Sequence, residues 1–279
     1  NVLGKHRPVK PSVVRDVHDV IEVAIGGKSA TEVFEGERLF VYDDTDGNKL
    51  WMALVGTVGW DEANAITLSS NSGSLYICGW TSGSFPGTTN AGSNDAFVAK
   101  YDTNGNKLWV MLVGTAGDDL AFGVAVSGNG EIYVCGYTSG SFPSTTNAGE
   151  DDAFVARLDG NNGAVVWMQL LGTSGFDEGR AVAVDSAGRV YVVGTTSGNL
   201  GGQISNGFTD SFVASFDPNG TRLWVLLHGT GDSEWVGAIT VDPSDHAIFT
   251  SATPAAFPGF TNTGSFDIQV SKVATTCAA

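Results

Sequence analysis

Apolar and polar positions along this chain fall into short blocks that recur at a fixed interval. One block is led by aspartate: DAFVAKYD, DAFVARLD, DSFVASFD and DIQVSKV begin at Asp95, Asp152, Asp210 and Asp267. A second carries tryptophan: KLWMALVGT, KLWVMLVGT, VVWMQLLGT and RLWVLLHGT place Trp51, Trp109, Trp167 and Trp224 at spacings of 58, 58 and 57 residues. A third is rich in alanine and valine (ANAITLS, FGVAVSG, RAVAVDS, GAITVDP), and a fourth reads SLYICGWT, EIYVCGYT, RVYVVGTT and AIFTSAT. Each block is short, dominated by β-branched or aromatic residues and bounded by Gly, Asn, Asp or Ser, which predicts a strand. No block sustains the 3.6-residue period of an amphipathic helix.

The connections agree with strands. DTDGNK, DTNGNK, DGNNGA and DPNGTR join the aspartate-led block to the tryptophan block, and SGNGE and DSAGR join the Ala-Val block to the next. In such hairpin turns glycine supplies the positive φ that other residues resist. Strands joined this way are antiparallel neighbours. A four-stranded antiparallel unit repeated about every 57 residues predicts an all-β fold of radially packed sheets, because stacking sheet on sheet buries both faces of each. That architecture is a β-propeller of four-stranded blades. By analogy with other propellers, the Ala-Val strand is innermost and the tryptophan strand outermost.

The repeats run over about 37–94, 95–151, 152–209 and 210–266, within one domain covering 1–279. LFVYD at 39–43 is a further copy of the aspartate-led strand, and SVVRDVHDVIEVAIGG upstream reads as a degenerate inner pair. NVLG at 1–4 resembles the end of an outer strand. The expectation is five blades, with residues 1–36 a degenerate blade part, 267–279 a closing strand and tail, and the N-terminus donating the outer strand missing after Asp267. The rival expectation is a piece of a larger ring, since the first 36 residues fit the pattern least well.

The segments GVAVSGNGEIYVCGYTSGSFP and DAFVAKYDTNGNKLW resemble the bacterial-type β-propeller repeat often named after seven-bladed members. The match recurs in four copies over roughly residues 37–274 and is weakest in the last, where SATPAAFP replaces TSGSFP. The resemblance implies the fold and a secreted or surface-exposed protein. It implies no single activity.

Composition narrows the function classes. With 42% hydrophobic residues the chain can bury a substantial core, and 38 glycines with only 16% charged residues suit short strands and tight turns. Thirty acidic residues against fourteen basic ones give a formal charge of −16, which repels nucleic acid and anionic lipid. No run reaches the roughly 18 apolar residues of a membrane-spanning helix. The chain opens on Asn1 without a signal-peptide pattern, so a processed chain or a fragment is expected. Cys78 and Cys135 occupy equivalent places in successive repeats, too far apart for a disulfide, and are expected to be small buried hydrophobes. Cys277 near the C-terminus is the one available to another chain.

Candidate chemistry is sparse. Asp61, Asp119, Asp177 and Glu234 precede the inner strands and are placed to ring one mouth of the channel. Several carboxylates there would suit Ca²⁺, making these weak metal candidates, but a residue repeated in every blade more simply caps a turn or bridges to the neighbouring blade. Asp95, Asp152, Asp210 and Asp267 are read the same way, as strand-start acceptors of backbone N–H groups, with Trp51, Trp109, Trp167 and Trp224 as structural markers. The DxNG turns lack the twelfth-position glutamate of a calcium loop. Long loops (TSGSFPGTTNAGSN and its counterparts) are expected to be anchored by Phe85, Phe142, Leu200 and Phe257 and to expose polar tips for binding. No aromatic repeats at those tips, which weakens a sugar-binding reading. Asn219 opens a glycosylation sequon on a turn. His6, His18, His228 and His246 sit at unrelated repeat positions without metal-ligand spacing. There is no G-x-S-x-G or phosphate loop, and symmetry-related acids are a poor start for the two unlike carboxylates of a glycosidase.

The reading is a secreted or cell-surface, non-enzymatic structural or adhesive module without a cofactor. Its partners would be other proteins or copies of itself in an extracellular assembly. A carbohydrate-binding propeller recognising glycans is the first alternative, a glycoside hydrolase or lyase the second.

Overall fold

A computed structural model describes residues 39–43 and 49–274. Leu39–Asp43 (β1) pairs with Lys49–Leu54 (β2). Three four-stranded antiparallel sheets follow. Blade I comprises Asp61–Leu68, Leu75–Thr81, Asp95–Tyr101 and Lys107–Val113 (β3 to β6). Blade II comprises Asp119–Val126, Ile132–Thr138, Asp152–Leu158 and Val165–Leu171 (β7 to β10). Blade III comprises Asp177–Val184, Val190–Thr196, Asp210–Phe216 and Arg222–His228 (β11 to β14). Trp235–Val241, Ala247–Thr253 and Asp267–Val273 (β15 to β17) make a three-stranded sheet, blade IV.

Within each sheet the strands lie in chain order, so every connection is a hairpin. The first strands of successive blades pack on one another, β3 on β7, β7 on β11 and β11 on β15, which puts the Ala-Val strand innermost. The tryptophan strand forms the opposite edge of each complete blade. Each first strand carries a bulge, at Ala63/Ala65, Ala121/Gly123, Gly179/Ala181 and Val236/Ile239. A bulge adds twist and bends the strand, and here it turns the inner strand at the same depth in every blade.

The core lies between blades as much as within them. Alternate residues of a third strand point to opposite faces: Phe154 and Ala156 pack with blade I residues, while Ala153 and Val155 pack with blade III. Tryptophan seals the outer part of the junction. Trp51 Nε1 donates to the Thr103 carbonyl at 3.0 Å, and Trp167 Nε1 to that of Pro218 at 3.0 Å, each in the next blade's hairpin turn. Gly105, at φ 80°, lies so close to the Trp51 ring that a Cβ would meet it at 2.7 Å. Glycine is required there twice over, for its backbone angle and for its lack of a side chain. Cys78 and Cys135 are buried free thiols, and Phe85, Phe142 and Leu200 are buried under their loops. Phe257 is half-buried, with its ring edge-on to His228.

Blade IV differs. Ile268 and Val270 stand where Ala153 and Val155 stand in blade II, yet they are 79% and 68% exposed. The expected inner pair upstream of β1, the NVLG strand and Cys277 lie outside the described residues.

Candidate functional site

Because strands alternate in direction, the linkers entering each first strand and the long loops entering each third strand emerge at one end of the blades. The two sets of repeated acids meet there. Asn94 and Asp118 form a parallel bridge between blades I and II, as do Asp151 and Phe176 between II and III, and Thr209 and Ser233 between III and IV. Each bridge is closed by a backbone hydrogen bond of 2.8 Å, from Asp119 N to Asn94 O, Asp177 N to Asp151 O and Glu234 N to Thr209 O. The structure therefore pairs Asp95 with Asp119, Asp152 with Asp177 and Asp210 with Glu234, one acid from each blade.

Each pair straddles the repeated Gly-Thr. Asp119 Oδ2 accepts the Thr115 N–H at 2.6 Å and its hydroxyl at 3.0 Å, and Asp177 Oδ2 does the same with Thr173 at 2.6 and 2.8 Å. Glu234 Oε1 accepts the hydroxyls of Thr230 and of Thr253, the latter at 3.0 Å. On the other side, Asp95, Asp152 and Asp210 accept backbone N–H groups of Ala91, Ala148 and Asn206 at 2.8–2.9 Å. All six acids are buried. Burial pushes the carboxyls of Asp119, Asp177 and Glu234 up, opposed by hydrogen bonds from nearby threonines. Burial likewise raises Asp95 and Asp152, opposed by the Ala91 and Ala148 amides and reinforced by the charges of Asp119 and Asp177.

This corrects the expectation that Asp119, Asp177 and Glu234 ring an open channel mouth. Their bridges point them at the preceding blade, and their side chains have no access to solvent. Asp61 is half-buried and accepts the Thr57 N–H at 2.7 Å; Asp267 accepts the Thr263 N–H at 2.9 Å. For Asp61 the equivalent third-strand position of the β1–β2 unit, residue 37, lies outside the described residues. No group of three or more His, Cys, Asp or Glu side chains gathers as a metal site among the described residues. Asn219 is exposed at the tip of the turn between β13 and β14.

The same end of the molecule exposes aromatic side chains that the repeat does not contain. Trp60 is 76% exposed, Phe176 55% and Phe208 76%. Trp60, Asp118, Phe176 and Ser233 occupy equivalent linker positions, so each blade presents a different group. Sequence reading looked for repeated aromatics and passed over these, although a bulky residue breaking an otherwise polar repeat position was the available signal. At the opposite, hairpin end, a polar cleft of about 370 Å³ between blades I and II is lined by Asn71, Tyr76, Lys100, Glu131 and Arg157 among others. Both cations there are committed: Lys100 Nζ donates to Gly160 O at 2.8 Å, and Arg157 pairs with Glu131 at 2.5 Å and donates to Pro218 O at 3.1 Å.

Two stretches of the chain match a recognised repeat. Residues 108–143 and 166–201 match the SBBP family, the beta-propeller repeat. Each matched stretch spans the outer strand of one blade and the first two strands of the next. Among curated proteins, the regulatory protein FlaEY of Caulobacter vibrioides is 27% identical over 193 residues, covering 62% of this chain and 20% of that protein. The uncharacterized WD repeat-containing protein L264 of Acanthamoeba polyphaga mimivirus is 24% identical over 238 residues, covering 66% of this chain and 17% of that protein. The chain thus spans a fifth or less of the length of these relatives. Among solved structures, the quinohemoprotein alcohol dehydrogenase of Comamonas testosteroni is similar with a TM-score of 0.48 and 11% identity, over 83% of this chain and 50% of that one.

Proposed function

We propose that this beta-propeller repeat protein is a secreted or cell-surface, non-enzymatic interaction module that binds another protein, or a second copy of itself, through its loop end. The observation that carries the reading is the contrast on that end. The repeated acids are spent inside the blade junctions, while Trp60, Phe176 and Phe208 project into solvent at repeat positions whose residue changes from blade to blade. Aromatic side chains offer large, rigid contact area and are enriched in protein interfaces. A rigid scaffold with variable exposed loops is the usual platform for recognition.

The ring itself is proposed to have five blades, residues 1–279 forming one domain closed by a strand from the N-terminal segment. Two features support this. The β1–β2 pair supplies the outer half of a blade beside blade I, and blade IV has three strands with Ile268 and Val270 bare on its far face. Light scattering on the native protein tests the interaction reading. The expected result is a mass well above the 28.9 kDa of one chain, falling to one chain on combined Phe176→Ser and Phe208→Ser substitution. A single-chain mass at all concentrations, with no partner binding lost in the double variant, would overturn it. A glycan-binding reading has one observation in its favour: Phe176, an exposed aromatic residue, is paired with the acidic Asp151 across their β-bridge. Glycan-array binding lost in Phe176→Ser selects that reading; an empty array removes it.

A further inference from the structure

We infer that each blade junction binds one proton, held between its two buried carboxyl groups, so that the acids form an O–H···O latch from blade to blade. The geometry is repeated three times. A Cβ on Gly114 would lie 2.2 Å from Asp95 Cγ, and the very next residue, Thr115, gives its N–H to Asp119. Gly172 and Thr173 stand in the same relation to Asp152 and Asp177; in the third junction Gly229 lies against Asp210 and the Thr230 hydroxyl donates to Glu234. Two carboxyl groups thus flank one dipeptide, in a place without solvent.

In each pair one oxygen per acid is spoken for and the other is not. Oδ1 of Asp95, Asp119, Asp152, Asp177 and Asp210, and Oε2 of Glu234, are buried with no protein hydrogen-bond partner. An ionised carboxylate is acceptor-only, so two ionised acids would leave each junction with two desolvated, unpartnered oxygens and two charges of like sign. One proton changes both at once: the protonated acid becomes a donor and its neighbour the acceptor. The other charges that reach the first two pairs, Asp118 and Asp151, are negative, and no lysine, arginine or histidine contributes to either of them. A calcium ion would want six to eight oxygens, whereas each junction offers two carboxyl groups and threonine hydroxyls that already donate to them. The proton is the cation that fits.

The pH dependence follows. The folded carboxyls of Asp95, Asp119, Asp152 and Asp177 are raised above their unfolded values, so the latch of those two junctions is complete below the ordinary carboxylate range and is lost as pH rises through the raised folded values. Infrared spectroscopy of the intact protein at pH 7 tests this directly. The expected result is a protonated-carboxyl C=O band, shifted in heavy water and reduced in Asp95→Asn and again in Asp95→Asn with Asp152→Asn. The amide of asparagine supplies the N–H that replaces the shared proton, so these variants should fold. Their unfolding temperature should fall less between pH 5 and pH 8 than that of the unsubstituted protein. Absence of the band at pH 7 would overturn the inference without recourse to any variant. So would an unchanged pH slope in the asparagine variants, or a Ca²⁺-induced rise in unfolding temperature that those variants lose.

Discussion

Val155 and Val270 occupy the same position of the third strand, one between blades II and III and one on the far side of blade IV. Val155 is fully buried against Val182, Val190 and other residues of the next blade; Val270 is 68% exposed. Substituting each by alanine measures what lies against it. Losing two methyl groups from a buried site removes about 1.6 kcal/mol of transfer energy at roughly 0.8 kcal/mol each. The cavity left behind brings the expected cost of Val155→Ala to about 2–3 kcal/mol. For a chain of this size that corresponds to a fall of roughly 3–5 °C in unfolding temperature. If the far face of blade IV stays open to water, Val270→Ala should change stability by less than about 0.5 kcal/mol. If a fifth blade completed by the N-terminal segment covers it, as proposed, the two substitutions should cost the same within about 1 kcal/mol. Urea unfolding followed by tryptophan fluorescence reads both. A cost below about 0.5 kcal/mol for Val155→Ala would refute the account of blade-on-blade packing itself, and a null result for Val270→Ala alone would refute closure.

Thr173→Val keeps the shape but removes the hydroxyl that donates to Asp177 at 2.8 Å and accepts the Gly175 N–H at 3.2 Å; denaturant titration should show a loss of about 1–3 kcal/mol. Burial pushes the Cys78 and Cys135 thiols up, so in a Cys277→Ser background neither should react with a disulfide reagent at pH 8 until the protein unfolds. His228 is held edge-on to Phe249 and Phe257, and burial lowers its pKa. A lowered base keeps its stabilising contribution above its unfolded value and loses it as pH falls. His228→Phe should therefore flatten the loss of stability below about pH 6.5, the ordinary histidine value, and an NMR titration should place the His228 midpoint below that ordinary value.

Strand positions were legible because each strand is local: its alternation, β-branched content and bounding glycines lie within one short block. The order of strands in a blade followed from hairpin turns, and the outer place of the tryptophan strand from the analogy with other propellers. What could not be read was contact between repeats. Asp95 and Asp119 were seen as two separate series, since nothing in a one-dimensional pattern says that the start of one third strand abuts the start of the next first strand. The aromatic face was missed for a related reason. A search for what repeats discards Trp60, Phe176 and Phe208, which matter because they do not.

The bridges that stitch blade to blade join residues only 24 positions apart, Asn94 to Asp118 and Thr209 to Ser233. Nearly all the scaffold can therefore assemble from neighbouring stretches of chain, one blade settling on the last as it leaves the ribosome. Loop-closure entropy stays small for every such step, and low contact order favours speed. The exception is the proposed union of the first and last blades, which must bring the N-terminal segment of residues 1–279 to blade IV. Folding is then expected to split into fast, sequential growth and a single slow final event, and until that event the bare edge of blade IV is where misassembly with another chain would begin.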